Sequence, residues 1–190
     1  MSRRVVVTGL GIVTPVGNDA QATWDSLLAG RSGAARIKRF DPHALDVQFA
    51  CEVKDFDPLQ YMDRKEVKRA DLFVQYAISA AAQAVEHAGL NGTLPDAERT
   101  GVIIGSGIGG IYTFEEQCRI SIEKGPKRVS PFFVPMFIPD MASGLVSMRW
   151  GAKGPNYCTV SACSSSAHAI GESYRLIQRG GADMMITGGA

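Results

Sequence analysis

The chain has 190 residues, 45% of them apolar and 21% charged, the balance of a soluble globular domain that can bury a core without disulfides or metals. A formal charge of +1 gives no global field toward nucleic acid or a membrane surface, so neither is expected as a partner. The four cysteines, Cys51, Cys118, Cys158 and Cys163, form no C-x-x-C pair, which argues against a structural metal site. With no signal-like start and no apolar run of about 18 residues, a cytoplasmic protein with reduced thiols is expected.

In chain order, Val5-Val6-Val7 is a β-branched run entering a glycine-rich turn and predicts a buried first strand. Residues 19–29 predict a helix with Asn18 or Asp19 as N-cap and Gly30 just past its end. Residues 31–60 show no clear period and read as loop with short strand. Residues 71–87 are the strongest helix: Val74, Ile78, Ala81 and Val85 form one stripe, and Phe73, Ala77, Ala80 and Ala84 another. A helix apolar on so much of its surface is buried; Gly89 ends it, with His87 in the last turn. Residues 100–105 predict a second buried strand and residues 111–123 a helix.

Residues 126–139 are broken by prolines and rich in phenylalanine, which excludes a central strand or an intact helix. Residues 140–150 predict a short helix, 156–160 a third strand, 164–179 a helix closed by Gly180-Gly181, and 182–187 a fourth strand. Alternating strands and helices predict an α/β domain with a largely parallel sheet. The chain stops at Ala190, directly after a strand and with no helix to cover it. An all-parallel sheet needs both faces covered, so this end is expected to be a cut.

Cys163 sits where the third strand gives way to a helix, flanked by Ser161-Ala162 and Ser164-Ser165-Ser166. A helix N-terminus presents free N–H groups and partial positive charge, which favour a thiolate. The Cys163 N–H is a candidate oxyanion donor, as at a nucleophile elbow. The plainer alternative is a small buried residue in a tight turn. Cys51, Cys118 and Cys158 read as structural. No histidine is an obvious base: His168 is five residues on, roughly 140° around a helix, while His87 reads as a helix-end residue and His43 as a loop residue. Gly105-Ser106-Gly107-Ile108-Gly109-Gly110 matches G-x-G-x-x-G, but about 20 residues on there is neither a strand nor the required carboxylate. The glycines read instead as a loop that lets backbone approach a substrate. Two basic groups, Lys65/Lys68/Arg69 and Lys127/Arg128, are either solvated surface or a dock for an acidic partner.

Six segments in order give the chain a family likeness: R-R-V-V-V-T-G-L-G-I-V-T-P-V-G-N at the start, A-G-R-S-G, F-V-Q-Y-A, G-S-G-I-G-G, R-V-S-P-F-F-V-P, and G-P-N-Y-C-T-V-S-A-C-S-S-S-A-H-A-I-G around Cys163. The chain resembles the N-terminal part of the β-ketoacyl-(acyl carrier protein) synthases, type II in particular. S-A-C-S-S-S stands where type II relatives often have T-A-C-T, a local feature nearer the type I enzymes. The resemblance implies a thiolase-like α/β fold of layered αβαβα architecture, of which residues 1–190 cover about the first half, and a homodimer when full length. It implies that Cys163 accepts an acyl chain from acyl carrier protein in fatty-acid elongation. Decarboxylation of malonyl carrier protein then supplies the attacking carbanion. The chain itself would hold no cofactor, since phosphopantetheine arrives on the carrier.

The family draws two histidines, a lysine and a second oxyanion N–H from its other half, so the 190 residues alone are expected to be inactive in condensation. By the same likeness Gly107 and Ile108 line and gate the acyl pocket, Ala162 adjoins it, and Phe133 closes it from the partner subunit. Lys65, Lys68, Arg69, Lys127 and Arg128 fall near the carrier-docking surface. The alternatives are a non-catalytic half domain that binds carrier protein or a partner chain, a polyketide partner subunit, which would lack the cysteine, and a thiolase, which would carry other flanking motifs.

Overall fold

The structure is a computed structural model that describes residues 3–190. In chain order it contains α1 (Ala20–Leu28), a hairpin of β1 (Ala35–Arg36) and β2 (Phe49–Ala50), α2 (Arg64–Val67), α3 (Leu72–His87) and β3 (Thr100–Gly105). There follow α4 (Ile111–Lys124), α5 (Phe133–Phe137), α6 (Met141–Trp150), β4 (Asn156–Tyr157), α7 (Ser165–Gln178) and β5 (Met184–Gly189). The main sheet has the order β4-β3-β5 and is parallel throughout. Helices α3 and α6 enclose one core with β3, centred on Val74, Val102, Ala142 and Val146, all fully buried. A smaller cluster joins Ile103 to Ala169 and Leu176 of α7. The sheet is therefore sandwiched, as its wholly buried strand β3 requires.

The helix signals hold. Asp19 caps α1, its carboxylate accepting from the Ala22 N–H at 2.7 Å. Gly30, Gly89 and Gly180 follow α1, α3 and α7 with φ of 63°, 71° and 78°, left-handed values that glycine reaches without Cβ strain. Residues 31–60 hold only the small hairpin and a 3₁₀ turn, Pro58–Gln60. In the proline-broken stretch a single helical turn forms, α5, with Pro135 inside it. Pro135 costs that turn nothing, because the first N–H groups of a helix have no internal acceptor.

Two strand expectations fail. Residues 3–13 form no strand, and Val6 and Val7 are 59% and 79% exposed. This segment lies extended along α3 instead. The Leu10 N–H donates to His87 Nδ1 at 3.1 Å and the Ile12 N–H to Gln83 Oε1 at 3.0 Å. A Cβ on Gly9 or Gly11 would strike the carbonyl of Ala84 or Ala80, so only glycine permits this approach. Between the segment and β5 runs an apolar cleft of about 620 Å³. The third strand is also shorter than expected. β4 pairs only at Val102↔Asn156 and Ile103↔Tyr157, because the next β3 donor is diverted. The Ile104 N–H donates to the buried Ser143 hydroxyl of α6 at 2.8 Å, and that hydroxyl donates to the Tyr157 carbonyl at 2.9 Å.

Asp183, just before β5, holds three parts of the chain together. Arg99 bonds both carboxylate oxygens, at 3.1 and 3.0 Å, and Arg3 bonds one at 2.7 Å. The Arg99 and Arg3 guanidiniums hold the Asp183 carboxyl down at about 2. A depressed carboxyl stabilises the fold above its unfolded value, and that contribution fades as pH falls from the ordinary 3.8 toward about 2. Asp183→Asn is expected to flatten the fall in melting temperature across that window, read by circular dichroism. Equal slopes for the two proteins would refute it.

Candidate active site

Helix α7 begins on the C-terminal ends of β3 and β5, and both strands end in glycine there. A Cβ on Gly105 would collide with the Ser165 carbonyl, and one on Gly189 would lie 2.5 Å from Ser166 Cβ. The bare strand ends let the first turn of α7 settle onto the sheet. Ser165 is buried by this, and its hydroxyl becomes the centre of the turn before it. It accepts the Ser161 N–H at 2.9 Å and donates to the Ala162 carbonyl at 2.7 Å. The Thr159 hydroxyl donates to the Ser165 carbonyl at 2.8 Å.

Between those bonds the chain makes a 3₁₀ turn, Ala162–Ser164, with Ala162 at φ 51°. A left-handed alanine costs about 1–2 kcal/mol, which the surrounding bonds offset. The turn lifts Cys163 out: its thiol side is exposed at the N-terminal end of α7. The alternative of a small buried cysteine therefore falls. The Cys163 N–H belongs to the first turn, where N–H groups have no acceptor within the helix. Cys158 is different, half-buried, with its thiol donating to the Thr159 carbonyl at 3.3 Å and pushed up by burial. Cys118 is partly buried within α4, and Cys51 is exposed beside the hairpin.

The glycine loop comes to the same place. A Cβ on Gly107 would stand 3.7 Å from the Ala162 carbonyl, and Ile108 beside it is 62% exposed. Gly107, Ile108, Ala162 and Cys163 thus gather at one end of the sheet. The loop's other glycines serve packing. Gly109 and Gly110 press on the carbonyls of Phe137 and Met136. Their N–H groups already donate, to the Ser106 hydroxyl at 3.2 Å and the Phe137 carbonyl at 2.9 Å. Those donors are therefore unavailable to cradle a phosphate, which agrees with the rejection of the dinucleotide motif. Phe133 packs with Phe114 and Phe137 at ring distances of 6.1 and 5.9 Å.

Lys65, Lys68 and Arg69 are exposed in and just after α2, and Lys127 and Arg128 in the 3₁₀ turn Pro126–Arg128. The Arg69 guanidinium lies 4.3 Å above the Phe132 ring, a cation–π contact that ties the first basic group to the segment carrying the second. The sequence reading missed Ser165 as the hub of the turn and missed the bond between Ser161 Oγ and His168 Nδ1, at 2.6 Å. The run of serines around Cys163 was the available signal. Among the described residues no group of His, Cys, Asp and Glu could hold a metal, and no helix is long and apolar enough to cross a membrane.

Residues 2–190 match the model of the β-ketoacyl synthase N-terminal domain. The chain belongs to that family. It is 51% identical over 188 residues to the 3-oxoacyl-[acyl-carrier-protein] synthase 2 of Staphylococcus aureus (strain COL), covering 99% of this chain and 45% of that protein. The chain therefore spans about half the length of the curated relatives it matches. Among solved structures, the ishigamide ketosynthase/chain length factor superposes with a TM-score of 0.87 at 28% identity, over 100% of this chain and 48% of the other. A type II polyketide acyl-carrier protein in complex with its ketosynthase gives 0.85 at 24% identity, over 100% and 52%, a likeness of fold. The fold is thus the thiolase-like ketosynthase fold.

The bare strand end yields a direct test. Gly105→Ala is expected to lower stability by about 1–3 kcal/mol, the usual cost of forcing atoms into a packed site. Urea unfolding measures it, and an unchanged midpoint would show that α7 does not need this seat.

Proposed function

We propose that residues 1–190 are the N-terminal ketosynthase domain of a β-ketoacyl-acyl carrier protein synthase acting in fatty-acid elongation, with Cys163 as its acyl acceptor. The observation that carries the proposal is the exposed Cys163 on a strained turn at the start of α7, where Gly107 of the glycine loop approaches the neighbouring Ala162. Its support from outside the chain is the 51% identity to a protein named 3-oxoacyl-[acyl-carrier-protein] synthase 2. In this reading the Cys163 sulfur attacks the thioester carbonyl of an acyl carrier protein. The phosphopantetheine thiol leaves, and the acyl group stays on Cys163. Malonyl carrier protein then loses carbon dioxide, and the resulting carbanion attacks the Cys163 thioester. The new carbon–carbon bond gives 3-oxoacyl carrier protein and frees the sulfur.

Each neighbouring residue takes a role in this scheme. The Cys163 N–H stabilises the oxyanion that forms in both attacks. Gly107 and Ala162 leave room for the reacting carbonyl, and Ile108 gates the acyl channel. Phe133 closes that channel across a homodimer interface. Lys65, Lys68, Arg69, Lys127 and Arg128 receive the acidic carrier, whose phosphopantetheine arm makes a separate cofactor unnecessary. His87 is bonded through Nδ1 to the Leu10 N–H and His168 through Nδ1 to Ser161, and in this reading neither handles the protons of decarboxylation. That step depends on groups from the second half that full-length relatives possess.

Incubation with acyl carrier protein bearing a long acyl chain, or with cerulenin, is expected to modify Cys163 without any condensation product from malonyl carrier protein. Intact-mass spectrometry reads the first and product analysis the second. A folded protein that stays unmodified would favour a non-catalytic half domain that only binds carrier or partner chain. Charge reversal, Lys65→Glu with Arg69→Glu, is expected to weaken carrier binding at least tenfold and to reduce its salt dependence, since paired charges at a docking rim set both. Unchanged affinity would remove these residues from the docking surface.

A further inference from the structure

We propose that His168 is a positioning residue for the nucleophile turn, clamping Ser161 and thereby the strained Ala162 that presents Cys163. This deepens the reading of Cys163 as acyl acceptor and rests on it. The side-chain bonds of Ser165 and Thr159 close within residues 159–165. The bond from His168 Nδ1 to Ser161 Oγ, at 2.6 Å, is the one that reaches into the turn from farther along α7. Ser161 stands at φ −151° and ψ 46°, immediately before Ala162 at φ 51°. Its backbone is held by Ser165 and by the Ser164 N–H, which donates to the Ser161 carbonyl at 3.1 Å. Its side chain is held by His168. The turn is thus fixed from both ends of the first α7 turn, and rotation of Ser161 would carry Ala162 and Cys163 with it.

The position of His168 decides between two roles. Five residues from Cys163 on or near the same helix, its ring leaves in another direction, roughly 140° around the axis. It does not serve as the base for Cys163; it reaches back to Ser161, two residues before that cysteine. The chemistry of the pair suits a clamp. A hydroxyl both donates and accepts. It can donate to an unprotonated Nδ1 or accept from a protonated one, so the bond survives either state of the imidazole. An ammonium in place of the Ser161 hydroxyl, having donors only, would lose it when the ring is protonated.

The test follows acyl transfer from myristoyl-acyl carrier protein to Cys163 by peptide mass mapping, with iodoacetamide alkylation of the same cysteine as control. His168→Leu is expected to slow acyl transfer about tenfold to a hundredfold, the range for a small misplacement of a reacting group, while alkylation, which needs no aligned carbonyl, changes less than threefold. His168→Asn, which keeps a polar atom at the Nδ1 position, and Ser161→Thr, which keeps the hydroxyl, are expected to stay within threefold of the parent. Ser161→Ala is expected to match His168→Leu, and the double variant to be no slower than either, as for two halves of one contact. Should His168→Leu fail to fold, the comparison of Ser161→Ala with Ser161→Thr decides alone, and equal rates would overturn the clamp. So would an unslowed His168→Leu, or a His168→Asn as slow as it. Absence of acyl transfer in the parent protein would instead overturn the acyl-acceptor reading, and the clamp's role in transfer with it.

Discussion

The site depends on one steric condition: α7 must sit directly on the ends of β3 and β5. A side chain at Gly105 or Gly189 would occupy the space that the Ser165 and Ser166 backbone and side chain now fill. With the helix seated, Ser165 is buried and its hydroxyl has two backbone partners. A buried hydroxyl is costly unless bonded, so its partners are fixed in place with it. Those partners are the Ser161 N–H and the Ala162 carbonyl, which bracket the left-handed φ of Ala162. Close packing between helix and sheet is in this way converted into a defined backbone conformation, and that conformation turns Cys163 outward. Strain of this kind persists where the surroundings over-determine it.

A second feature recurs through the molecule: helix side chains take over bonds that a strand ladder would otherwise make. Ser143 of α6 inserts at the end of β4. Gln83 and His87 of α3 take the N–H groups of the N-terminal segment. Asp71, at the start of α3, accepts both the Thr113 N–H at 3.1 Å and its hydroxyl at 2.5 Å, fixing the start of α4 and hence the glycine loop before it. Backbone donors withdrawn from water need partners of some kind. Here side chains supply them at the sheet's margins, which leaves a sheet of three strands carrying a site at its C-terminal end. That is the end where open parallel α/β sheets place their ligands.

The helices were legible because their signals are local and redundant. The stripes of residues 71–87 and the left-handed glycines after α1, α3 and α7 each follow from side-chain spacing or from φ alone. The strands were less so. Val5-Val6-Val7 has the composition of a buried strand, yet composition does not say whether a partner lies within reach, and the segment is bonded to α3 instead. The third strand was read to Val160 because nothing in residues 156–160 reveals a serine on α6 cutting the ladder. At the site, Cys163 stood out through its junction position and through family likeness, and the neighbouring serines were visible. Their division of labour was not: Ser165 differs from Ser164 and Ser166 in being buried with its hydroxyl bonded back into the turn.

The sequence by itself determined that the chain is an α/β domain of the ketosynthase family, where its longer helices begin and end, and which cysteine stands before the last helix. These follow from period, capping and motif order, all of which act over a few residues. Only the tertiary structure decided that this cysteine is exposed, that Gly107 meets Ala162, that Arg69 covers Phe132 and that His168 holds Ser161. The first two depend on how closely separate elements approach, the third on two segments more than 60 residues apart, and the last on how α7 is turned against the loop before it. Distances between faces are set by packing the whole core at once, and no local pattern encodes them.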